Sequence, residues 1–331
     1  MDQASRKAVW SQYWHQGPLH SLSSSYAGNY DGNVARFWED VFGSAPDTAR
    51  MLDIGTGNGA IPALALGNNG TSRKFDIHAA DLSAIDPDWM HGLHDEVKAR
   101  LHFHAGMAAE SLPFMAGAFD LVTSQYGLEY THLAESATEL SRVLADAGHV
   151  AFVLHHVDSR LFAVAQADAK HIDLLLAPSG AMDAGESIYP FIASSVTSEG
   201  RSKLISDPLA QACKQRFNTM MNSLAYTIET STYPDALADA RNFIIGQIQA
   251  LQRGLPMGEA MIRHQRQIQA MRESAFRSHE LCSHALSEAG VNLLVESLHR
   301  NGIRTDAVSL LHHENGLLLG WSLRGTKSLD Q

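Results

Sequence analysis

Residues 51–60 read MLDIGTGNGA, an apolar run that breaks into three glycines at alternate positions, Gly55, Gly57 and Gly59. A strand that ends in glycines and then opens a helix lets backbone N–H groups approach a ligand closely. No Cβ is in the way, and the helix start offers free donors. The stretch is a nucleotide site in outline. Taken as GxGxxG/A, with Ala60 in the third place, it also passes for a dinucleotide fingerprint. Asp53, two residues before the first glycine, argues the other way. A carboxylate there repels a pyrophosphate and attracts a cationic amino group, so the pattern Asp-x-Gly-x-Gly-x-Gly favours a zwitterionic ligand.

Outward from this turn, short apolar runs alternate with helix-like stretches from residue 51 to 156, the βαβ rhythm of a parallel sheet. Strands are expected near 50–54, 76–80, 100–104, 119–123 and 149–154, with helices over 59–67 and 133–145, the latter stopping at Ala147-Gly148. Upstream, KAVWSQYW and NVARFWEDVF carry apolar and aromatic residues at helical spacing. From about 158 to 288 the periodicity is mostly helical, with Pro208, Pro234 and Pro256 where helices begin. A helix (VNLLVESLHRNG) and two strand-like runs follow, parted by Glu314-Asn315-Gly316, whose Asn-Gly pair signals a hairpin. The fold class expected is α/β, a doubly wound, mostly parallel seven-stranded sheet with a large helical insertion after the fifth strand and a C-terminal antiparallel hairpin. The expected divisions are an N-terminal helical lid (1–44), a ligand-binding core (45–156), the insertion (157–288) and a closing helix and hairpin (289–331).

The segments LDIGTGNG, HAADLS, AGMAAESLPF, AFDLVTSQYGLEY and ELSRVLADAGHVAFVLHH occur in that order. Together they resemble the class I S-adenosylmethionine-dependent methyltransferases, well over roughly residues 45–156 and more loosely into the C-terminal hairpin. The resemblance implies S-adenosylmethionine as cofactor and S-adenosylhomocysteine as product. It places Asp53 at the methionine amino group and Asp81 on the two ribose hydroxyls, where a carboxylate can accept two hydrogen bonds at once. The backbone of Gly55, Thr56, Gly57 and Gly59 would line the donor, with Leu82 and Gln125 beside it. The family's usual adenine-contacting Asp is Ala108 here, so adenine recognition falls to backbone groups of Met107 to Ala109. Ala145-Asp146-Ala147 replaces the family's Lys-Pro-Gly run. In similar enzymes the N-terminal segment folds over the donor, which brings in Tyr13, Trp14, Tyr26 and Tyr30.

In an open parallel sheet the ligand lies at the carboxyl ends of the strands. The acceptor should therefore sit near Tyr126, Glu129, His155 and His156, after the fourth and fifth strands, which are the catalytic candidates. Each also has a plain structural reading, as a loop-fixing or strand-end side chain. His312 and His313 are neighbours in a strand and face opposite sides of the sheet, so no metal is expected. The insertion's Met220, Met221, Met257, Met261 and Met271 read as core filling.

Composition limits what such a chain can do. It has 331 residues, 45% of them apolar and 18% charged, with no apolar run long enough to span a membrane. Two cysteines, Cys213 and Cys282, exclude a disulfide framework or a multi-cysteine zinc site. The N-terminus has no secretory pattern, and a cytoplasmic location is expected. The net charge of −11 argues against a broad nucleic-acid face. Residues 201–277 nevertheless hold 10 basic and 6 acidic side chains, against 9 and 18 in residues 1–156. The leading expectation is methyl transfer to an O or N atom of a small-molecule acceptor. Methylation of RNA or protein through the basic stretch is the runner-up, and a donor-binding regulatory protein without catalysis is the third. The insertion is expected to cap the acceptor pocket, to form a homodimer interface, or both.

Overall fold

The computed structural model describes residues 3–22, 26, 28–67 and 74–328. Seven strands form one sheet, β1 (Arg50–Ile54), β2 (Asp76–Asp81), β3 (Leu101–Ala105), β4 (Phe119–Gln125), β5 (Leu144–Leu154), β6 (Ile303–His312) and β7 (Leu318–Lys327). Their order is β3-β2-β1-β4-β5-β7-β6. The first five are parallel, and β7 joins β5 and β6 antiparallel. This is the expected doubly wound sheet with its hairpin.

Strand residues alternate between two cores, as the pleat requires. Met51, Ile77, Leu121 and Val153 point to a core shared with α2 (Gly32–Ser44) and α3 (Ala60–Leu66). Leu52, Ala80, Val122 and Phe152 point to the other, shared with α5 (Leu133–Val143) and α12 (Glu288–Arg300). Burial on both faces is why these strands read as continuous apolar runs. The chain order reverses between β1 and β4, which makes the carboxyl ends of those strands a natural crevice.

Strand boundaries fall within two residues of the sequence reading except at the start of β5. The helix expected over 133–145 ends at Val143, and β5 begins at Leu144, five residues early. Leu144 already pairs with Phe119, and a register shift follows before His149 pairs with Leu121. The intervening turn places Ala147 at φ 57. What reads as a helix stop is thus an irregularity within a strand.

The chain divides into two compact units, Met1–Ala163 with Glu280–Gln331, and Val164–His279. The second is helical. Along it run α6 (Arg160–Leu176), α7 (Ala181–Ser194), α8 (Ser198–Ile205), α9 (Pro208–Thr230), α10 (Asp235–Gln252) and α11 (Met257–His284), the first and last extending into the other unit. Pro208 opens α9, and the Asp207 carboxylate caps it by accepting from Leu209 and Ala210 N–H. The five methionines pack in this unit's two apolar clusters. Part of its positive charge is paired locally, Arg216 with Asp183, Arg263 with Glu259 and Lys203 with Glu199.

Candidate active site

Gly55, Gly57 and Gly59 follow β1 with φ values of 65°, 52° and 82°, all in the left-handed region. A Cβ on Gly55 would lie 2.8 Å from the Cα of Gly127, and one on Gly57 would lie 2.5 Å from the Trp14 indole. Both conformation and space therefore require glycine. Gly55 and Thr56 N–H donate to the Ala80 carbonyl, which ties the turn to the end of β2.

Two carboxylates are buried at this turn. Asp53 is 1% exposed and accepts a 2.7 Å bond from Thr123 Oγ1. Asp81 ends β2, and its two oxygens accept 2.8 Å bonds from Gly57 and Ser83 N–H. Burial pushes Asp53 up to about 7, with the neighbouring Asp81 adding to the rise and Thr123 opposing it. Asp81 is raised too, by the same desolvation. No lysine or arginine forms a salt bridge to either among the described residues. The site carries buried acidity that a cationic ligand would offset.

Both acids open on one cleft. Its walls include Gly55, Thr56, Leu82, Met107, Ala108, Gln125, Tyr126 and Tyr30. Helix α1 (Gln3–His15) and the segment after it add Arg6, Trp10, Trp14 and His20. Trp10 stacks on Trp14 with ring centres 5.7 Å apart and meets Tyr130 edge-on at 6.3 Å. Trp38 Nε1 donates to Gln125 Oε1 and fixes that amide at the end of β4.

The remaining residues singled out from sequence, Tyr126 apart, lie around the cleft rather than in its wall. Gly57 supports Trp14, and Gly59 sits under Phe103 and caps α3. Tyr13 donates to the His20 carbonyl, and Tyr26 packs edge-on to Tyr30 at 5.2 Å. Tyr126 is in the wall, at a φ of 54° that is costly for a side chain of its size. Directly behind it His155 stacks on its ring at 4.3 Å. Glu129 Oε1 then accepts from both the N–H and Nδ1 of His155, each at 2.7 Å. These three form a relay of packing into the loop, with only Tyr126 at the surface of the cleft. His156 turns elsewhere, with Trp321 against its ring at 4.5 Å and its Nδ1 accepting from Asp158 N–H. That acceptance leaves its proton on Nε2.

Sequence reasoning passed over Arg6 and Glu280. The Arg6 guanidinium pairs with the fully buried Glu280, donates to the Tyr130 carbonyl at 2.5 Å and meets His284 Nε2 at 3.0 Å. No local motif announces this, since the partners are 274 residues apart. The one available signal was a basic pair in an aromatic N-terminal helix.

A family model described as a methyltransferase domain matches residues 52–152. A malonyl-[acyl-carrier protein] O-methyltransferase of Geobacter sulfurreducens is 33% identical over 141 residues, which span 39% of this chain and 49% of that protein. The chain thus covers about half the length of this curated relative. Among solved structures, a Burkholderia thailandensis 1,6-didemethyltoxoflavin-N1-methyltransferase, determined with 1,6-didemethyltoxoflavin and S-adenosylhomocysteine bound, aligns at a TM-score of 0.48 and 11% identity. That alignment covers 98% of this chain and 88% of the other. A Methanosarcina mazei S-adenosylmethionine-dependent methyltransferase aligns at 0.40 and 12% identity, over 88% and 98%.

Proposed function

We propose that this chain, whose residues 52–152 match a methyltransferase-domain family model, transfers a methyl group from S-adenosylmethionine to an O or N atom of a small-molecule acceptor. The observation that carries this is the pair of buried, unbridged carboxylates, Asp53 and Asp81, opening with a glycine turn on one cleft. They fit the donor's amino group and ribose diol, and neither needs a partner from elsewhere in the protein. When bound, S-adenosylmethionine supplies a methyl group already activated by its sulfonium charge. The chain's own residues then have three tasks, namely to hold the donor, to orient the acceptor lone pair in line, and to exclude water.

The aromatic wall of Trp10, Trp14 and Tyr130 suits the last of these and supports a small acceptor. Tyr126 has its hydroxyl well above the ordinary tyrosine range because it is buried. It stays protonated, and its hydroxyl donates to the Leu319 carbonyl at 3.4 Å, so it shapes the wall rather than acting as a base. His155 and Glu129 position Tyr126 from behind.

Two expectations follow. Asp81→Ala should weaken donor binding by about 1.5–3 kcal/mol, the range for hydrogen bonds to a charged group, with the fold intact by circular dichroism. Wild-type affinity in that variant would refute the ribose assignment. The second concerns pH. Folded Asp53 keeps its proton up to about 7, whereas an unfolded chain releases it near 3.8. Between those values the native state binds more protons, so the ligand-free protein loses stability as pH rises through the window. Donor binding requires the ionised form and has the opposite trend. Affinity should rise with pH until about 7 and fall roughly tenfold per unit below it, a slope that Asp53→Asn removes.

Formation of S-adenosylhomocysteine by the purified protein with a fractionated metabolite extract tests the reaction itself. Turnover with RNA or protein substrates alone would overturn the small-molecule reading, and donor binding without any turnover would leave a regulatory protein.

A further inference from the structure

Asp76 and His78 on β2, and His102 and His104 on β3, alternate along their strands, so all four share one face of the sheet. His78 is the register partner of His102, which brings the two strands' imidazoles together at the free edge. One ligand atom each from Asp76, His78 and His102 lies within 4.8 Å of the other two. His102 Nε2 is 3.1 Å from Asp76 Oδ1, and His78 Nε2 is 3.9 Å from Asp76 Oδ2. Ligand atoms around a tetrahedral ion with bonds of about 2.0–2.1 Å are roughly 3.3 Å apart, so these groups close on an ion with small rotations.

We propose that Asp76, His78 and His102 bind a divalent transition-metal ion of the zinc type. His104 completes the arrangement from outside. Its Nε2 is 2.9 Å from His78 Nδ1, and when that Nδ1 donates, His78 is held in the tautomer whose Nε2 lone pair faces the other two ligands. Metal-binding imidazoles are oriented in this way by the partner of their second nitrogen. Phe114 and Phe119 pack edge-on against the His78 ring at 5.4 Å each and confine it further. Two imidazoles and one carboxylate select zinc, cobalt or iron over magnesium or calcium. Arg50 Nε lies 3.5 Å from Asp76 Oδ2, but a carboxylate has lone pairs enough to serve both.

The site is separate from the cleft. Asp76 begins the strand that Asp81 ends, and five residues of extended chain span about 17 Å. The ion would clamp edge strand β3 to β2 rather than touch the reacting atoms. The expectation of no metal rested on His312 and His313, which did not include these residues.

The test is calorimetric titration of Zn²⁺ into the full chain, with the visible spectrum of Co²⁺ as a reporter of tetrahedral coordination. Wild type should bind one equivalent, His104→Ala should bind about 10- to 100-fold more weakly, and His102→Ala should lose the site. His313→Ala should be unchanged. Should His102→Ala fail to fold, Asp76→Asn, which keeps size and shape, decides in its place. Absence of stoichiometric binding in wild type, or equal binding in wild type and the ligand variants, overturns the proposal. Neither outcome bears on donor binding, which is read separately.

Discussion

Gly55→Ala should destabilise the sheet-containing unit by about 2–5 kcal/mol and abolish donor binding. The left-handed conformation at φ 65° costs an L-residue about 1–2 kcal/mol. The new Cβ would also lie 2.8 Å from the Cα of Gly127. Overpacking costs about 1–3 kcal/mol even where side chains can yield, and here the obstacle is backbone. Any relief must come from moving the β1 turn or the loop after β4, and both line the cleft. All five tryptophans, at 10, 14, 38, 89 and 321, belong to this unit. Urea unfolding followed by their fluorescence therefore reads it selectively. A midpoint equal to wild type would show that the turn is looser than described.

Asp53→Asn should act in opposite directions on stability and on binding. The substitution keeps an oxygen to accept from Thr123 and removes a charge that burial already opposes. The ligand-free protein should be no less stable at pH 8 than wild type, where the carboxylate is ionised. Donor affinity should nevertheless fall by about 2–5 kcal/mol, the cost of removing one member of a buried hydrogen-bonded charge pair. Thermal melting and calorimetry on the same samples separate the two effects. A loss of stability that matches the loss of affinity would make Asp53 a structural residue and the proposed donor contact unnecessary. Such trade-offs mark sites where a fold keeps a cost for the sake of its ligand.

Much of this architecture is local and so was legible. β1 begins and ends where its apolar run does, at Arg50–Ile54, and β2 exceeds the reading by one residue. Period and punctuation sufficed there because each strand is buried on both faces and bounded by glycine or charge. The early start of β5 was hidden because LADAG carries helix-stop signals, and only pairing with Phe119 makes it a strand. α7 lies within the stretch read as helical, even with Pro190 inside it.

The cleft shows the same division. Asp53, Asp81 and the glycines announce themselves by spacing from a strand end. Arg6 with Glu280, Trp10 over Tyr130, and the sheet-face cluster of Asp76, His78 and His102 are juxtapositions across strands or across the whole chain. Spacing in the sequence cannot bring them together before the topology is known. His155 was a candidate by position alone, and its place behind Tyr126, bonded to Glu129, is a fact of packing.

The central claim is that the turn at Gly55 to Gly59, with Asp53 beneath it, holds S-adenosylmethionine and no dinucleotide. Titration calorimetry of the purified chain with S-adenosylmethionine, S-adenosylhomocysteine and NAD tests it most directly. Micromolar binding of the first two, with no heat from NAD and a sharp loss in Asp53→Asn, is the predicted result. Binding of NAD alone would contradict the account and make Ala60 the third place of a dinucleotide fingerprint.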